Sequence, residues 1–179
     1  MPELPASGEE AVIRVATAED LPFMGRMLAF AAHWRSPEPL PLSEVLVDPH
    51  NAVYLRDWGR PGDVGFVAER GGTPSGAAWF RLFAPGDAGY GFIDEFTPEV
   101  TIAVEPRFRG QGLATALLGA LAEAATRAGC PALSLSVERE NHAARIYRRA
   151  GYETVGALGG SWTMRKPLPP GAGAAPGGV

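Results

Sequence analysis

Cysteine and histidine are scarce in this sequence of 179 residues. Cys130 is the only cysteine, so no disulfide can form within the chain, and a secreted scaffold held by disulfide bridges is excluded. The three histidines, His33, His50 and His142, show no metal-ligand spacing, and we expect no metal site. These features are typical of a reducing compartment, and we expect a cytoplasmic protein.

Long apolar runs and an excess of positive charge are also missing. No stretch of about 18 apolar residues offers a membrane span, and the N-terminus lacks the basic and then apolar pattern of a signal peptide. We therefore expect a soluble protein that does not contact membranes. The formal net charge of −4 argues against a broad phosphate-binding surface, so nucleic acid is not an expected partner.

The composition provides for one core of ordinary domain size, since 46% of the residues are hydrophobic. Residues 1–10 are polar and without pattern, which predicts a flexible N-terminus. Residues 167–179 are rich in proline, glycine and alanine, which predicts a disordered tail. We therefore predict a single domain over residues 11–166.

Hydrophobic periodicity predicts alternating strands and helices along that domain. The predicted strands cover residues 12–15, 64–69, 77–83, 99–104, 131–137, 152–156 and 162–165, with a hairpin loop over residues 71–74. Residues 17–20 cap a first helix, and residues 42–47 and 52–58 have the composition of short helical pieces. A long helix over residues 110–128 has an apolar stripe at Leu113, Ala116, Leu117, Ala120, Leu121 and Ala124, and Asn141 caps a short helix that ends near Ala150. The predicted fold is α/β (α+β), with a mixed, mostly antiparallel sheet of six or seven strands flanked by helices.

A glycine-rich turn joins the strand over residues 99–104 to the long helix. Gly110 and Gly112 lack side chains where a backbone must approach a ligand closely, and the free N–H groups of the first helical turn point to the same place. Arg109 can add a charge-assisted hydrogen bond. This pattern predicts a diphosphate anchor, although glycine-rich turns before helices are also common without a ligand. The spacing fits neither a dinucleotide-binding fingerprint nor a P-loop.

Two blocks of the sequence form a combined pattern. The first block is in the glycine-rich turn, at Arg109, Gly112 and Ala114. The second block is in the later short helix, at Asn141, Ala143, Ile146, Tyr147, Gly151 and Tyr152. Together they resemble the loop and helix patterns of the GNAT superfamily of acyl-CoA-dependent N-acyltransferases. The blocks follow one another in family order, and the pair is more specific than either block alone.

The resemblance implies a GNAT-like fold and a site for acetyl-CoA as co-substrate, with no metal. In this family a strand pairs its backbone with the pantetheine arm, a role that falls to Ile102, Ala103 and Val104. The residues implied to hold the diphosphate are Arg109, Gly110, Gln111, Gly112, Leu113, Ala114 and Thr115. Asn141 would contact the arm through its side chain.

The resemblance also implies two catalytic roles. Tyr147 would protonate the departing sulfur, and a core tyrosine that anchors the short helix is the alternative reading. Glu99 is our choice as general base, because strand alternation places it on one face with Thr101 and Ala103. The loop acids Asp94 and Glu95 are the alternatives, and each of these carboxylates can equally be a solvated surface group.

The activity that these features imply is transfer of an acetyl group from acetyl-CoA to a primary amine of a small molecule or peptide, by direct attack in a ternary complex. A non-catalytic module that binds or senses acyl-CoA, and a nucleotide-binding regulatory domain, are the alternatives. The aromatic residues at positions 34, 54, 58, 79, 90 and 162 can line an acceptor site or belong to the core. Similar proteins often form homodimers, and the final strands can pair across a two-fold axis.

Overall fold

The computed structural model describes residues 10–171 and contains one mixed sheet with helices on both faces. Residues 1–9 and 172–179 of the predicted flanks therefore lie outside the described residues. The strands are β1 (Ala11–Val15), β2 (Val64–Arg70), β3 (Thr73–Arg81), β4 (Glu99–Val104), β5 (Ala132–Glu138), β6 (Glu153–Leu158) and β7 (Ser161–Pro167). The helices are α1 (Leu21–Ala32), α2 (Leu42–Val45), α3 (Pro49–Ala52), α4 (Leu113–Arg127) and α5 (Ala143–Arg149). Pro167, which we assigned to the tail, is the last residue of β7, and the next residue, Leu168, donates from its N–H to the Pro131 carbonyl.

The seven strands follow the order β1-β2-β3-β4-β5-β7-β6. Every neighbouring pair is antiparallel except β4 and β5, which run parallel. The predicted mixed, mostly antiparallel sheet flanked by helices is confirmed.

The two faces of the sheet carry separate hydrophobic clusters. On one face α4 packs through Leu117 and Leu121, both fully buried, against strand residues such as Leu133. On the other face α1 packs through Met24 and Met27. The buried residues of α4 are Leu113, Leu117, Leu118, Leu121 and Ala125. The predicted stripe was thus correct for its leucines, but Ala116 is exposed, because Leu118 and Ala125 complete the buried face in place of the alanines.

The hairpin between β2 and β3 is tighter than its sequence indicates. We predicted a loop over residues 71–74, but Thr73 and Pro74 already pair with Arg70 and Glu69. Gly71 and Gly72 both have positive φ, +56° and +71°, as in a two-residue hairpin turn whose twist matches the flanking strands. A register shift at Ala68 and Glu69 accommodates the proline, which lacks a ladder donor.

The segment between α1 and β2 also differs from its prediction. The second helical piece, predicted over residues 52–58, is the single turn α3, which begins earlier. Asp48 accepts a hydrogen bond from the His50 N–H and Pro49 occupies the first turn, so this helix starts at a well-formed cap. After α3 the chain continues in turns, with positive φ at Asp57 and Gly59.

Candidate active site

The parallel strands β4 and β5 meet at one point and then separate. Glu99 and Ser134 form their only register pair, and the Ser134 N–H donates to the Pro98 carbonyl at 2.9 Å. Beyond this pair, residues from both strands line a common cavity, for example Thr101 and Val137. The sheet therefore opens along the second half of β4.

Hydrogen-bond alternation shows which main-chain groups of β4 face this opening. The Pro98 carbonyl faces β5, whereas the Glu105 N–H donates to the Ser75 carbonyl on the β3 side. Since strand main-chain groups alternate in direction, those of Ile102 and Val104 point into the opening. Ala103 lines the cavity but pairs with Ala77 of β3, so its main-chain groups face β3. Of the three residues expected to pair with a ligand through the backbone, Ile102 and Val104 therefore direct main-chain groups into the opening.

The turn before α4 presents several main-chain donors. Gly110 and Gly112 have φ of +73° and +80°, the left-handed region that glycine adopts without a Cβ penalty. The first helical bond runs from the Ala116 N–H to the Gly112 carbonyl. The N–H groups of Leu113, Ala114 and Thr115 therefore have no helical acceptor, as at any helix start. A Cβ placed on either glycine would meet no atom within 4 Å, so space is open in front of these donors.

Two side chains of the same turn donate hydrogen bonds to nearby main-chain carbonyls. Arg109 donates from Nε to the Val104 carbonyl at 3.1 Å, and its guanidinium carbon lies 5.8 Å from the centre of the Phe30 ring. This places Arg109 at the mouth of the opening, with both Nη atoms unbonded among residues 10–171. Gln111 donates to the Arg107 carbonyl at 3.4 Å and is exposed. Leu113 is buried in the core beneath the turn.

The short helix α5 closes the opposite wall of the opening. The Asn141 Oδ1 accepts a hydrogen bond from the Ala143 N–H at 2.9 Å, so Asn141 organises the helix start as predicted. Tyr147 lines the cavity, and its ring packs edge-on against Tyr152 with centroids 6.1 Å apart. Its hydroxyl has no hydrogen-bond partner in the described part of the chain. Burial raises the pKa of Tyr147 to about 12, so the phenol keeps its proton at neutral pH.

Glu99 is the most perturbed carboxyl group of the site. Its side chain is 2% exposed, and Oε1 accepts hydrogen bonds from the Tyr54 hydroxyl at 2.5 Å and the Gly91 N–H at 2.7 Å. Oε2 is buried and has no partner among the described residues. Burial raises the pKa of Glu99 from 4.5 to about 7, although both hydrogen bonds act to lower it.

The hydrogen bonds around Tyr54 distinguish the two oxygens of Glu99. The Tyr54 hydroxyl accepts from the Tyr90 N–H at 2.8 Å, so its own proton is directed to Glu99 Oε1. Oε1 thus receives two donors, and a proton taken up by Glu99 belongs on Oε2. Gly89 and Gly91 leave room for the carboxyl group of Glu99. A Cβ on Gly89 would lie 2.5 Å from Oε2, and a Cβ on Gly91 would lie 2.9 Å from Oε1.

The sequence did not indicate Tyr54 as a partner of Glu99. Its backbone carbonyl accepts from Trp79 Nε1 at 3.0 Å, and the neighbouring Val53 carbonyl accepts from Arg81 at 2.7 Å. Arg81 is completely buried and pairs with Asp63 at 2.6 Å. Strand β3 therefore holds the turn-rich segment that carries Tyr54. A buried arginine in an otherwise apolar strand was the one available signal.

The alternative acids lie elsewhere. Asp94 and Glu95 are exposed and do not line the cavity. Asp94 accepts a hydrogen bond from the Phe96 N–H, as a turn residue does. The geometry therefore favours Glu99 over both as the acid next to a ligand.

One cavity of about 1060 Å³ connects these features. We call its first part the loop half, lined by Arg109, Gly110, Gly112, Leu113, Ala114, Thr115, Asn141 and Tyr147. We call the second part the acidic half, lined by Trp34, Asp48, Asn51, Tyr54, Tyr90 and Glu99. The opened end of β4 lies between the two halves.

Residues 10–171 contain neither a cluster of metal-binding side chains nor a membrane-spanning helix. No group of three or more His, Cys, Asp or Glu side chains there is arranged to hold a metal ion. None of the helices in that range is long and apolar enough to cross a membrane.

Comparison with known proteins identifies the family of this chain. Residues 28–152 match the model of the acetyltransferase (GNAT) family. A ribosomal-protein-alanine N-acetyltransferase from Brucella melitensis is 27% identical, with a TM-score of 0.64 over 88% of this chain and 99% of that chain. An N-acetyltransferase from Staphylococcus aureus Mu50 is 22% identical, with a TM-score of 0.68 over 89% of this chain and 99% of that chain.

A third similar structure contains a bound molecule. The PaiA N-acetyltransferase from Thermoplasma acidophilum, in complex with coenzyme A, is 15% identical, with a TM-score of 0.66 over 89% of this chain and 99% of that chain. At these low identities the structures establish the fold, and the family model establishes the membership. The chain belongs to the acetyltransferase (GNAT) family and is an acyltransferase.

Proposed function

We propose that this protein transfers an acetyl group from acetyl-CoA to a primary amine by direct attack in a ternary complex. The observation that carries the proposal is the single cavity whose loop half offers free main-chain donors and whose acidic half ends at a buried carboxyl group. The two substrates would enter from opposite halves and meet where β4 separates from β5. Membership of the family and the coenzyme A in the Thermoplasma relative support this reading.

The loop half suits a diphosphate and an extended thiol arm. The free N–H groups at the start of α4 and the Arg109 guanidinium would bind the diphosphate, since both favour negative charge. The main-chain groups of Ile102 and Val104 would pair with the amides of the pantetheine arm. Asn141 would contact that arm from the other wall, next to Tyr147.

The acidic half suits removal of a proton from an amine. Glu99 Oε2 would take a proton from the ammonium form of the acceptor, and a pKa near 7 lets this group accept and release a proton at neutral pH. The neutral amine would then form the new C–N bond at the thioester carbonyl. A main-chain N–H near Val104 would stabilise the negative charge on the carbonyl oxygen.

Tyr147 would complete the reaction. As the C–S bond breaks, the phenol would donate its proton to the departing thiolate, which leaves as coenzyme A. Tyr147 lines the same cavity, and its pKa of about 12 keeps the phenol protonated at neutral pH until the thiolate forms nearby. Before the next turnover the amide product would lose its excess proton, the phenolate would take up a proton, and Glu99 would release the proton it accepted, so that one proton per turnover passes to solvent.

The first experiment is a calorimetric titration of the purified protein with acetyl-CoA, with ATP as a control ligand. A Gly112→Asp variant places a carboxylate among the donors of the loop, and we expect it to weaken acetyl-CoA binding at least about 100-fold. Gly119→Asp is the matched control, because Gly119 is exposed on the same helix and does not line the cavity. Equal binding by both variants, or preference for ATP, would contradict the proposed anchor.

The second experiment measures transfer itself, as thiol released from acetyl-CoA in the presence of primary amines. Thiol release that depends on the amine, together with the acetylated product by mass spectrometry, is the expected result. Binding of acetyl-CoA without any amine-dependent release from a broad amine panel would instead indicate a module that binds the coenzyme without catalysis.

A further inference from the structure

The acidic half of the cavity contains no fixed positive charge. The only arginines that line the cavity are Arg109 and Arg149, on the turn before α4 and on α5, and no lysine lines it in the described part of the chain. Residues 1–9 and 172–179 contain neither lysine nor arginine, so they cannot supply one. Two histidines, His33 at the end of α1 and His142 before α5, also line the cavity.

The carboxylates of the acidic half are joined by a chain of hydrogen bonds. Asp48 Oδ2 accepts from the Tyr90 hydroxyl at 3.0 Å. The Tyr90 N–H donates to the Tyr54 hydroxyl at 2.8 Å, and that hydroxyl donates to Glu99 at 2.5 Å. Asp48 and Glu99 are therefore fixed within one network. Glu99 also lines the cavity, and its Oε2 is buried and without a partner among the described residues.

One further guanidinium lies near the rim, and its charge is already compensated. Arg35 follows α1, and its Nη1 and Nη2 contact Glu138 at 2.6 Å and Glu140 at 2.9 Å. Both edges of the guanidinium fork therefore bind carboxylates of the chain itself. A ligand carboxylate would have to displace one of them to use this charge.

The carboxylates of the acidic half favour some acceptor amines over others. The reacting nitrogen must approach Glu99, so a carboxylate on the same carbon would lie close to Glu99 and Asp48, where it would meet like charge and no cation. Resting on the proposed function, we infer that the acceptor is a cationic amine without a carboxylate beside its amino group, and that Asp48 attracts it. A small amine and the N-terminus of a peptide, which has an amide at that place, share this chemistry.

The test compares acceptors that differ only at this carboxylate. With the full-length protein and saturating acetyl-CoA, thiol release is measured for tyramine, tyrosinamide and tyrosine, and for the aliphatic pair isopentylamine and leucine. We expect kcat/KM for tyramine, tyrosinamide or both to exceed that for tyrosine at least about 100-fold, and isopentylamine to exceed leucine similarly. Preference for tyrosinamide over tyramine would indicate a peptide acceptor, and the reverse order a small amine.

Two variants test the charges themselves. Asp48→Asn keeps an acceptor for the His50 N–H but removes the charge, and we expect the ratio of tyramine to tyrosine to fall about tenfold. Asn51→Arg adds a cation to the same wall and is expected to raise the use of tyrosine. An unchanged ratio in both variants would contradict the inference.

Different experimental results would contradict the inference and the proposed function. Wild-type turnover of tyrosine or leucine at the rate of the carboxylate-free partner would overturn the inference and leave the transferase activity established. Tight binding of acetyl-CoA with no turnover of any of the five acceptors would count against the proposed function and against the acceptor class together.

Discussion

The burial of Glu99 predicts a change in stability with pH that a single substitution removes. Its carboxyl group is 2% exposed, and its pKa is raised from 4.5 to about 7. Glu99→Gln keeps the shape and an oxygen that accepts from Tyr54 and Gly91, but it cannot ionise. The variant therefore isolates the contribution of this one ionisation.

The sign follows from proton binding in the two states. Between pH 4.5 and about 7 the folded protein keeps a proton on Glu99 that the unfolded chain has lost, so this group makes the free energy of unfolding fall as pH rises. Above pH 7 the full cost of burying the charge is present, roughly 3 kcal/mol for a pKa rise of this size. Below pH 4.5 both states are protonated and the cost vanishes.

The measurement is urea unfolding of the wild type and of Glu99→Gln at pH 5 and pH 8, with the slopes checked for a constant m-value. The absolute stability of the variant also depends on its unpaired amide, so the informative quantity is the difference in the free energy of unfolding between the two proteins. From pH 5 to pH 8 this difference should shift in favour of the variant by about 2 to 3 kcal/mol. Parallel pH dependence of the two proteins would refute a raised pKa for Glu99.

Four further substitutions test separate features of the structure. Tyr147→Phe should lower kcat by about 100-fold or more while calorimetric binding of acetyl-CoA stays unchanged, because only a proton donor is lost. Tyr54→Phe removes the hydrogen bond that lowers the pKa of the buried Glu99 carboxyl group, so the acidic limb of the pH profile of kcat/KM should move to higher pH. An acidic limb that does not move would argue against this hydrogen bond. Asp63→Asn leaves Arg81 buried without its counter-charge and should cost about 3 to 5 kcal/mol in chemical unfolding. Gly119→Ala should raise the free energy of unfolding by up to about 1 kcal/mol, since the position is helical, exposed and free of neighbours within 4 Å, and a loss of stability would contradict that placement.

Local patterns were enough to predict the elements of the sheet and the long helix. The leucines at positions 113, 117 and 121 recur at helical spacing, and residues 99–104 are rich in β-branched side chains, so the residues of each element were enough to predict it. The glycine-rich turn could also be predicted locally, because the positive φ of Gly110 and Gly112 favours that residue type.

The acidic half could not be predicted in the same way. Tyr54 meets Glu99 across 45 positions of the sequence, and the segment that carries it has no helical or strand periodicity. Its position depends on Trp79 and Arg81 of β3, which bind its backbone carbonyl and that of Val53. Such contacts depend on tertiary packing. The sequence contains the residues that form them but does not indicate which residues pair.

The buried ion pair of β3 explains how Glu99 keeps its unusual pKa. Arg81 is the register partner of Glu99 across β3 and β4, so both side chains project from the same face of the sheet. A free guanidinium at this place would bind the carboxyl group and hold it ionised. Asp63 and the carbonyls of Val53 and Arg56 occupy the Arg81 donors instead, which leaves burial as the dominant influence on Glu99. The same arginine therefore anchors the segment that supplies Tyr54 and leaves Glu99 able to exchange a proton near neutral pH.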